Sequence, residues 1–453
     1  MAIIEIPQKA EQILRVLHEN GYEAYVVGGC VRDSLLGRTP EDWDITTSAS
    51  PAQVKQLFSR TIDTGIRHGT VTVMQDRERF EVTTYRIDGE YEDGRHPKQV
   101  TFTSSLEEDL KRRDFTINAM AYSDESGLVD LFGGRKDLQD KVIRCVGHSA
   151  ERFGEDALRM LRAVRFAAQL GFQLTDSVRG SIYELAHTLK QVSAERIQAE
   201  LVRLLVSPRP HWFRLAYECG ITAVVMPEFD RIMAQRQNNP HHAYSTGEHT
   251  LVAMQNIPAD KGLRLTMLFH DMGKPEVFET DEAGIDHFHG HAAHSAEIAR
   301  QIMKRLKFDN ETIENVCTLV RNHSRYPKLN AHDVRRTAYE IGGPRLFEQF
   351  LQVKRSDVLA QHPDVIGAKL DYLKEVGHIW QDVKLHGDCL SLKELALSGS
   401  DLIADGWKPG PKIGETLHLL LMEVLEFPER NRKEYLLERS RELADKASRK
   451  QAD

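Results

Sequence analysis

The spacing of apolar residues changes character about a third of the way along the chain. In the first third, short apolar runs bounded by glycine alternate with helical patterns. Ile13, Leu14 and Leu17 fall on one face of a helix over residues 8–20, which Gly21 ends. Tyr25-Val26-Val27 predicts a strand that runs into Gly28-Gly29, with a short helix after the turn. Trp43 and Ile45-Thr46-Thr47 predict a second strand, and Pro51 opens a helix towards Phe58. Residues 71–74 and 79–85 predict neighbouring strands, and residues 115–122 a further one. Between them, residues 88–97 are polar, contain two glycines and a proline, and predict a loop. From about Ser149 the period is helical and stays so. The fold expected is an α/β head, a mixed sheet with helices, followed by a long all-α remainder.

Composition narrows this picture without redirecting it. The 453 residues suit about three domains, and 41% hydrophobic with 28% charged residues is ordinary for a soluble protein. No apolar run approaches the ~20 residues of a membrane span, and no basic segment followed by an apolar core opens the chain. Five scattered cysteines (Cys30, Cys145, Cys219, Cys317, Cys389) form no CxxC pair, which points to a reducing, cytoplasmic setting. A net charge of −8 argues against a positively coated binder of any nucleic acid, but leaves room for a local basic surface.

The candidate chemistry begins at Gly28-Gly29-Cys30-Val31-Arg32-Asp33 and Asp42-Trp43-Asp44. Two glycines let backbone N–H groups approach a phosphate. Alternate residues of a strand share a face, so Asp42 and Asp44 would point the same way and converge on a divalent cation such as Mg²⁺. These parts suit metal-dependent nucleotidyl transfer. Glu81 could complete the carboxylate cluster or be a solvated strand residue. Arg113, in the basic run entering residue 115, could grip a triphosphate bidentately or be one of a solvated charge run. Asp156 and Arg159 are i,i+3 neighbours on a helix and could read a nucleobase edge, or simply pair with each other. Arg162, Arg165, Arg196 and Arg203 could track phosphates or be solvated. Trp212, Trp380 and Trp407 read as core.

A second constellation lies in the helical part: His249, His270-Asp271, His291, His323 and Asp357. Adjacent His and Asp after an apolar helix, with further histidines on other helices, suit a second divalent metal of unspecified identity. His291 follows Gly290 and fits that set better than His294.

GGxVRD, DWD, RRDFTINAMA and EDALRMLR, in this order and spacing, resemble the class II tRNA nucleotidyltransferases, the CCA-adding enzymes, whose head is shared by bacterial poly(A) polymerases. The runs at 397–403 and 408–414 are similar to the family's tail, and the HDMGK run at 270–274 is similar to HD-type phosphohydrolases. The resemblance implies that Gly28, Gly29 and Arg32 form a phosphate-binding turn and that Asp42 and Asp44 hold Mg²⁺, with Glu81 near them. It implies that Arg113, Asp114 and Asn118 hold sugar and triphosphate. It also implies that Asp156 and Arg159, following Glu155, act as an amino-acid template for CTP or ATP, with Arg162 and Arg165 on the same nucleotide-binding stretch. The partners implied are tRNA, CTP and ATP, with no membrane and no protein partner indicated. The loop at 88–97 resembles one absent from CC-only enzymes. Domains follow as 1–140 head, 141–225 helical neck with the template motif and tRNA binding, 226–370 HD-type metal domain and 371–453 tRNA-binding tail. CCA addition is the leading expectation. A-only addition and poly(A) synthesis use the same chemistry, and an HD phosphohydrolase with an RNA-binding head is the alternative of another class.

Overall fold

Helix Gln8–Glu19 buries Ala10, Ile13, Leu14 and Leu17, the stripe its sequence spacing prescribes. It lies in the first of two compact units into which the chain divides, residues 1–230 and 231–453. A computed structural model describes residues 4–89, 100–239 and 243–450. The segment expected to be a loop at 88–97 falls, from residue 90, outside the described residues.

The first unit is built on a seven-stranded sheet. Its strands are β1 (Ala24–Val27), β2 (Ile45–Thr47), β3 (Thr61–Gly65), β4 (Thr70–Gln75) and β5 (Glu78–Thr84). A separate hairpin, β6 (Arg86–Asp88) with β7 (Val100–Phe102), precedes β8 (Ala121–Ser123) and β9 (Gly127–Val129). The order is β3-β4-β5-β2-β1-β8-β9. Only β2 and β5 run parallel; all other neighbours are antiparallel. Ser50 caps helix Pro51–Leu57 in a capping box with Gln53.

The sequence pattern misjudges two places in this unit. Asp42 and Asp44 precede β2, which is only three residues long. The ladder still reaches Asp44, because the Val27 N–H donates to its carbonyl at 2.9 Å. The strand expected over 115–122 is broken by a 3₁₀ turn, Thr116–Asn118, and β8 begins only at Ala121. Local side-chain bonds turn the chain: Asp114 accepts from the Phe115 N–H at 2.8 Å and from Asn118 Nδ2 at 3.1 Å. The Thr116 hydroxyl donates to Asp137 at 2.6 Å.

Helix Leu158–Leu170 is almost wholly buried and packs against helix Ala194–Leu205. Phe166 meets Phe115 edge-on at 5.8 Å, which ties these helices to the sheet-bearing part.

The second unit is helical. A core from Leu319 to Leu436 surrounds the fully buried Trp380, whose ring centroid lies 4.7 Å from that of Phe347. Trp407 packs against the same core, while Trp212 of the first unit is only half-buried. Arg335 donates to the Leu425 carbonyl at 2.7 Å and to Asp388 at 2.8 Å, so the end of helix Pro411–Glu426 is satisfied by the preceding helices. The expected boundary at 370/371 falls within helix Pro363–His386. No described helix is long and apolar enough to cross a membrane.

Candidate active site

The sheet register assembles the first site. β1 ends at Val27, and Gly28 follows with φ of 82°, a conformation glycine adopts without penalty. Its N–H donates to the Met120 carbonyl at 3.1 Å. A Cβ here would lie 3.0 Å from Arg113 Nη1, so the glycine makes room for that guanidinium. On the other side of β1, Ile45 of β2 pairs with Val82 of β5 in parallel. One step back along both strands are Asp44 and Glu81, which brings the two carboxylates side by side.

The electrostatics agree. Desolvation raises the Asp44 carboxyl above its ordinary value, Arg113 opposes this, and Glu81 and Asp42 raise it further. Like-charged carboxylates that unsettle one another in this way fit a divalent cation between them. Arg113 stands on a support the sequence reading missed. Asp109, fully buried on helix Leu106–Lys111, accepts a fork from Arg112 at 2.7 and 3.0 Å, an Arg113 nitrogen at 3.5 Å and the Thr46 hydroxyl of β2 at 3.0 Å. Burial alone would raise the Asp109 carboxyl, but Arg112 and Arg113 hold it below the ordinary value.

A relay of polar contacts runs from the glycine turn to the helices. Arg32 grips Asp33 through two bonds of 2.9 and 2.7 Å and donates to Asn118 Oδ1 at 2.8 Å. Asn118 donates to Asp114, and Asp114 accepts a fork from Arg162 at 2.8 and 2.6 Å. Burial works against the Asp114 charge, yet Arg162 and Arg159 hold its carboxyl down to about 2. Gly28, Arg32, Asp114, Asn118 and Arg162 are thus parts of one network.

Asp156 and Arg159 do not share one helix face. Asp156 is an extended residue between helix Ser149–Glu155 and helix Leu158–Leu170, where it accepts the Leu158 N–H at 3.0 Å. Its ion pair is with Arg196 at 2.7 Å, while Arg159 pairs with Glu155 at 2.6 Å and donates to the Arg112 carbonyl at 3.0 Å. Arg196 therefore supports Asp156 and is not a free solvated cation. Arg165 is buried, held by Glu200 and Gln169 with its guanidinium 3.9 Å from the Phe166 ring centroid. That places it in the packing of the neck helices. Glu200 itself, buried in an amphipathic helix, carries no sequence motif that could have flagged it.

The second cluster lies in the helical unit. His249 is on helix Thr246–Asn256, and His270-Asp271 follow helix Lys261–Phe269. His291 opens helix His291–Arg305, His323 follows helix Asn310–Asn322, and Asp357 is on helix Pro344–Leu359. Each histidine turns Nδ1 to a backbone carbonyl: His249 to Ala360, His270 to Met267, His291 to Phe288 and His323 to Val320, at 2.7–3.0 Å. That fixes the tautomer and aims every Nε2 inward. Asp271 then lies 3.3 Å from His270, 3.4 Å from His291 and 3.7 Å from both His249 and His323. Asp357 Oδ1 is 2.9 Å from His249 Nε2. Among the described residues His270 Nε2 is buried with no hydrogen-bond partner, as a ligand atom of a metal site would be. His294 pairs instead with Glu276 at 3.0 Å. Lys274, 2.8 Å from Asp271, joins the cluster unannounced by the sequence reading.

A mixed sheet carrying a glycine turn against paired carboxylates defines a nucleotidyltransferase head on a helical body. The poly A polymerase head domain family matches residues 24–144. An RNA- and SrmB-binding region of polymerase A matches residues 171–233, and a tRNA nucleotidyltransferase domain 2 matches residues 277–439. The CCA-adding enzyme of Lactiplantibacillus plantarum is 35% identical over 455 residues, covering 98% of this chain and 99% of the relative. That of Enterococcus faecalis is 34% identical over 96% of this chain and 97% of its own length. The crystal structure of Bacillus stearothermophilus CCA-adding enzyme in complex with CTP matches at a TM-score of 0.70 and 30% identity, covering 97% of this chain and 98% of that one. The chain belongs to the CCA-adding enzyme family.

Proposed function

We propose that this chain adds CCA to tRNA 3′ ends from CTP and ATP, with Asp42 and Asp44 as its metal-binding carboxylates and Glu81 as the catalytic carboxylate beside them. The observation that carries the reading is the register that sets Asp44 beside Glu81 next to a glycine turn covered by Arg113. In each cycle the tRNA 3′ oxygen bonds to the α-phosphorus, the bond to the β-phosphate oxygen breaks, and pyrophosphate leaves with the β- and γ-phosphates. Arg32, Asn118 and Arg113 hold sugar and triphosphate so that attack is in line, and positioning is most of the catalysis. Asp42 and Asp44 would hold Mg²⁺, which supplies Lewis-acid neutralisation of the phosphoryl oxygens and activation of the attacking hydroxyl. Asp156 and Arg159, fixed by Arg196 and Glu155, offer an acceptor and a donor to the incoming base, and Arg162 secures Asp114 behind the sugar. The test uses tRNA transcripts ending before CCA, after C and after CC, each with CTP, ATP or both. Full CCA on the first is expected. Extension of the CC-ended transcript alone would indicate an A-adding enzyme, and long A tails a poly(A) polymerase.

A second reading concerns the histidine cluster, favoured by the unpartnered His270 Nε2 and by the histidines gathered around Asp271. His249, His270, Asp271, His291, His323 and Asp357 would hold a second divalent metal, which supplies an activated water for phosphoester hydrolysis. Asp271→Ala should abolish metal retention at this cluster, measured by elemental analysis after gel filtration. CCA addition should stay within about twofold, because no step of the transfer passes through Asp271.

A further inference from the structure

A cleft of about 250 Å³ opens onto the histidine cluster, lined by Asp271, His291, His323 and Asp357. Lys354 lines it as well. The residue is 1% exposed, and its ammonium has no hydrogen-bond partner among the described residues. Holding an ammonium away from water without an acceptor is costly. The neighbouring acceptors are committed elsewhere. Asp357 Oδ1 faces His249 and its Oδ2 accepts from Gln361 at 3.3 Å; Asp271 Oδ2 faces Lys274. The face of Tyr326, 3.4 Å from Nζ to the ring centroid, is the contact that partly compensates the charge. Burial pushes the ammonium down to about 8, against the pull of Asp357.

We infer that Lys354 is the cationic half of a phosphate subsite in this cleft, placed to receive a phosphoryl oxygen beside the metal-ligating carboxylates. The inference rests on the second reading above for the phosphoester chemistry, but not for the anion site itself. The unmet donors of a buried ammonium call for an anionic acceptor, and the site's hard oxygen and imidazole ligands suit an oxyanion over a soft anion. Lys274 differs in kind, because it is ion-paired with Asp271 and Gln237 accepts from it at 2.6 Å. Lys354 meets the substrate's phosphate directly as a hydrogen-bond donor and transfers no proton.

The test titrates inorganic phosphate by calorimetry into the full chain, wild type and K354M, metal-free and after Mn²⁺ loading. The transferase head is common to both proteins and contributes equally to each. K354M is expected to weaken phosphate binding about tenfold or more, as loss of a charge-assisted hydrogen bond would. It should retain wild-type Mn²⁺ content and CCA addition. It should also melt at a higher temperature, because an apolar side chain replaces a buried charge that Tyr326 compensates only in part. A purely structural lysine predicts the reverse pair: unchanged phosphate affinity and a lower melting temperature. K354Q, which retains a polar end, should share the loss of affinity without the gain in melting temperature. Equal phosphate affinity of wild type and both variants, or no phosphate-binding difference in either metal state, would overturn the inference. If the wild type retains no Mn²⁺, the metal reading fails separately, and the metal-free titration still decides the role of Lys354.

Discussion

Asp44→Asn is expected to lower CMP and AMP incorporation into tRNA by about 10³-fold or more, the scale of losing several kcal/mol of transition-state charge stabilisation. The side chain keeps its shape, so the loss reports the charge. The Asp44 carboxyl is raised by desolvation and by Glu81 and Asp42. A raised folded-state value means the ionised form costs stability once the pH exceeds the unfolded value, and that cost vanishes at lower pH. Asp44→Asn should therefore leave the metal-free melting temperature at neutral pH unchanged or slightly higher. In the wild type, Mg²⁺ should raise the melting temperature by relieving the same repulsion, and the variant should lose most of that response. An inactive variant with a lowered melting temperature would instead make Asp44 a structural residue. Full activity would remove it from the site.

The parts of the site that sequence made legible are those carried by short chain segments. Gly28-Gly29 after an apolar strand and two aspartates around Trp43 are each explained as readily by a turn or a solvated loop, but in this order together they point to phosphate and metal. Helix termini made the histidine cluster legible too, since His270-Asp271 follows an apolar helix that could only be buried. Contacts spanning long sequence distances stayed hidden. Asp109 lies in the acidic first turn of a short helix and reads as a cap-region charge, yet the fold buries it beneath Arg112, Arg113 and Thr46. Spacing alone gave Asp156 and Arg159 to one helix. The helix breaks at Asp156, because the side chain caps the next helix and Arg196, 40 residues on, offers a better ion pair than Arg159. Arg165 and Lys354 show the converse. Both are basic residues in helical stretches, and only packing separates the one neutralised by Glu200 from the one without a hydrogen-bond partner among the described residues.

Asp114→Ala should be strongly destabilising, at about 2–3 kcal/mol, because it removes a buried carboxylate on which half-buried Arg162 and buried Asn118 both depend. Arg162 would lose both bonds of its fork, and Asn118 would lose the acceptor that orients it towards Arg32. The double variant Asp114→Ala/Arg162→Met should recover much of the stability, since removing both charges ends the penalty. It should not recover activity, because Asn118 is still unanchored. The pH dependence carries the same signature. The Asp114 carboxyl is held down to about 2, so its contribution is complete above the unfolded value near 3.8 and is lost as pH falls from there towards 2. Urea unfolding of wild type and single variant should therefore differ most at neutral pH and converge in acid. A difference that persisted undiminished at pH about 2 would locate the cost in lost packing rather than in the Asp114–Arg162 pair.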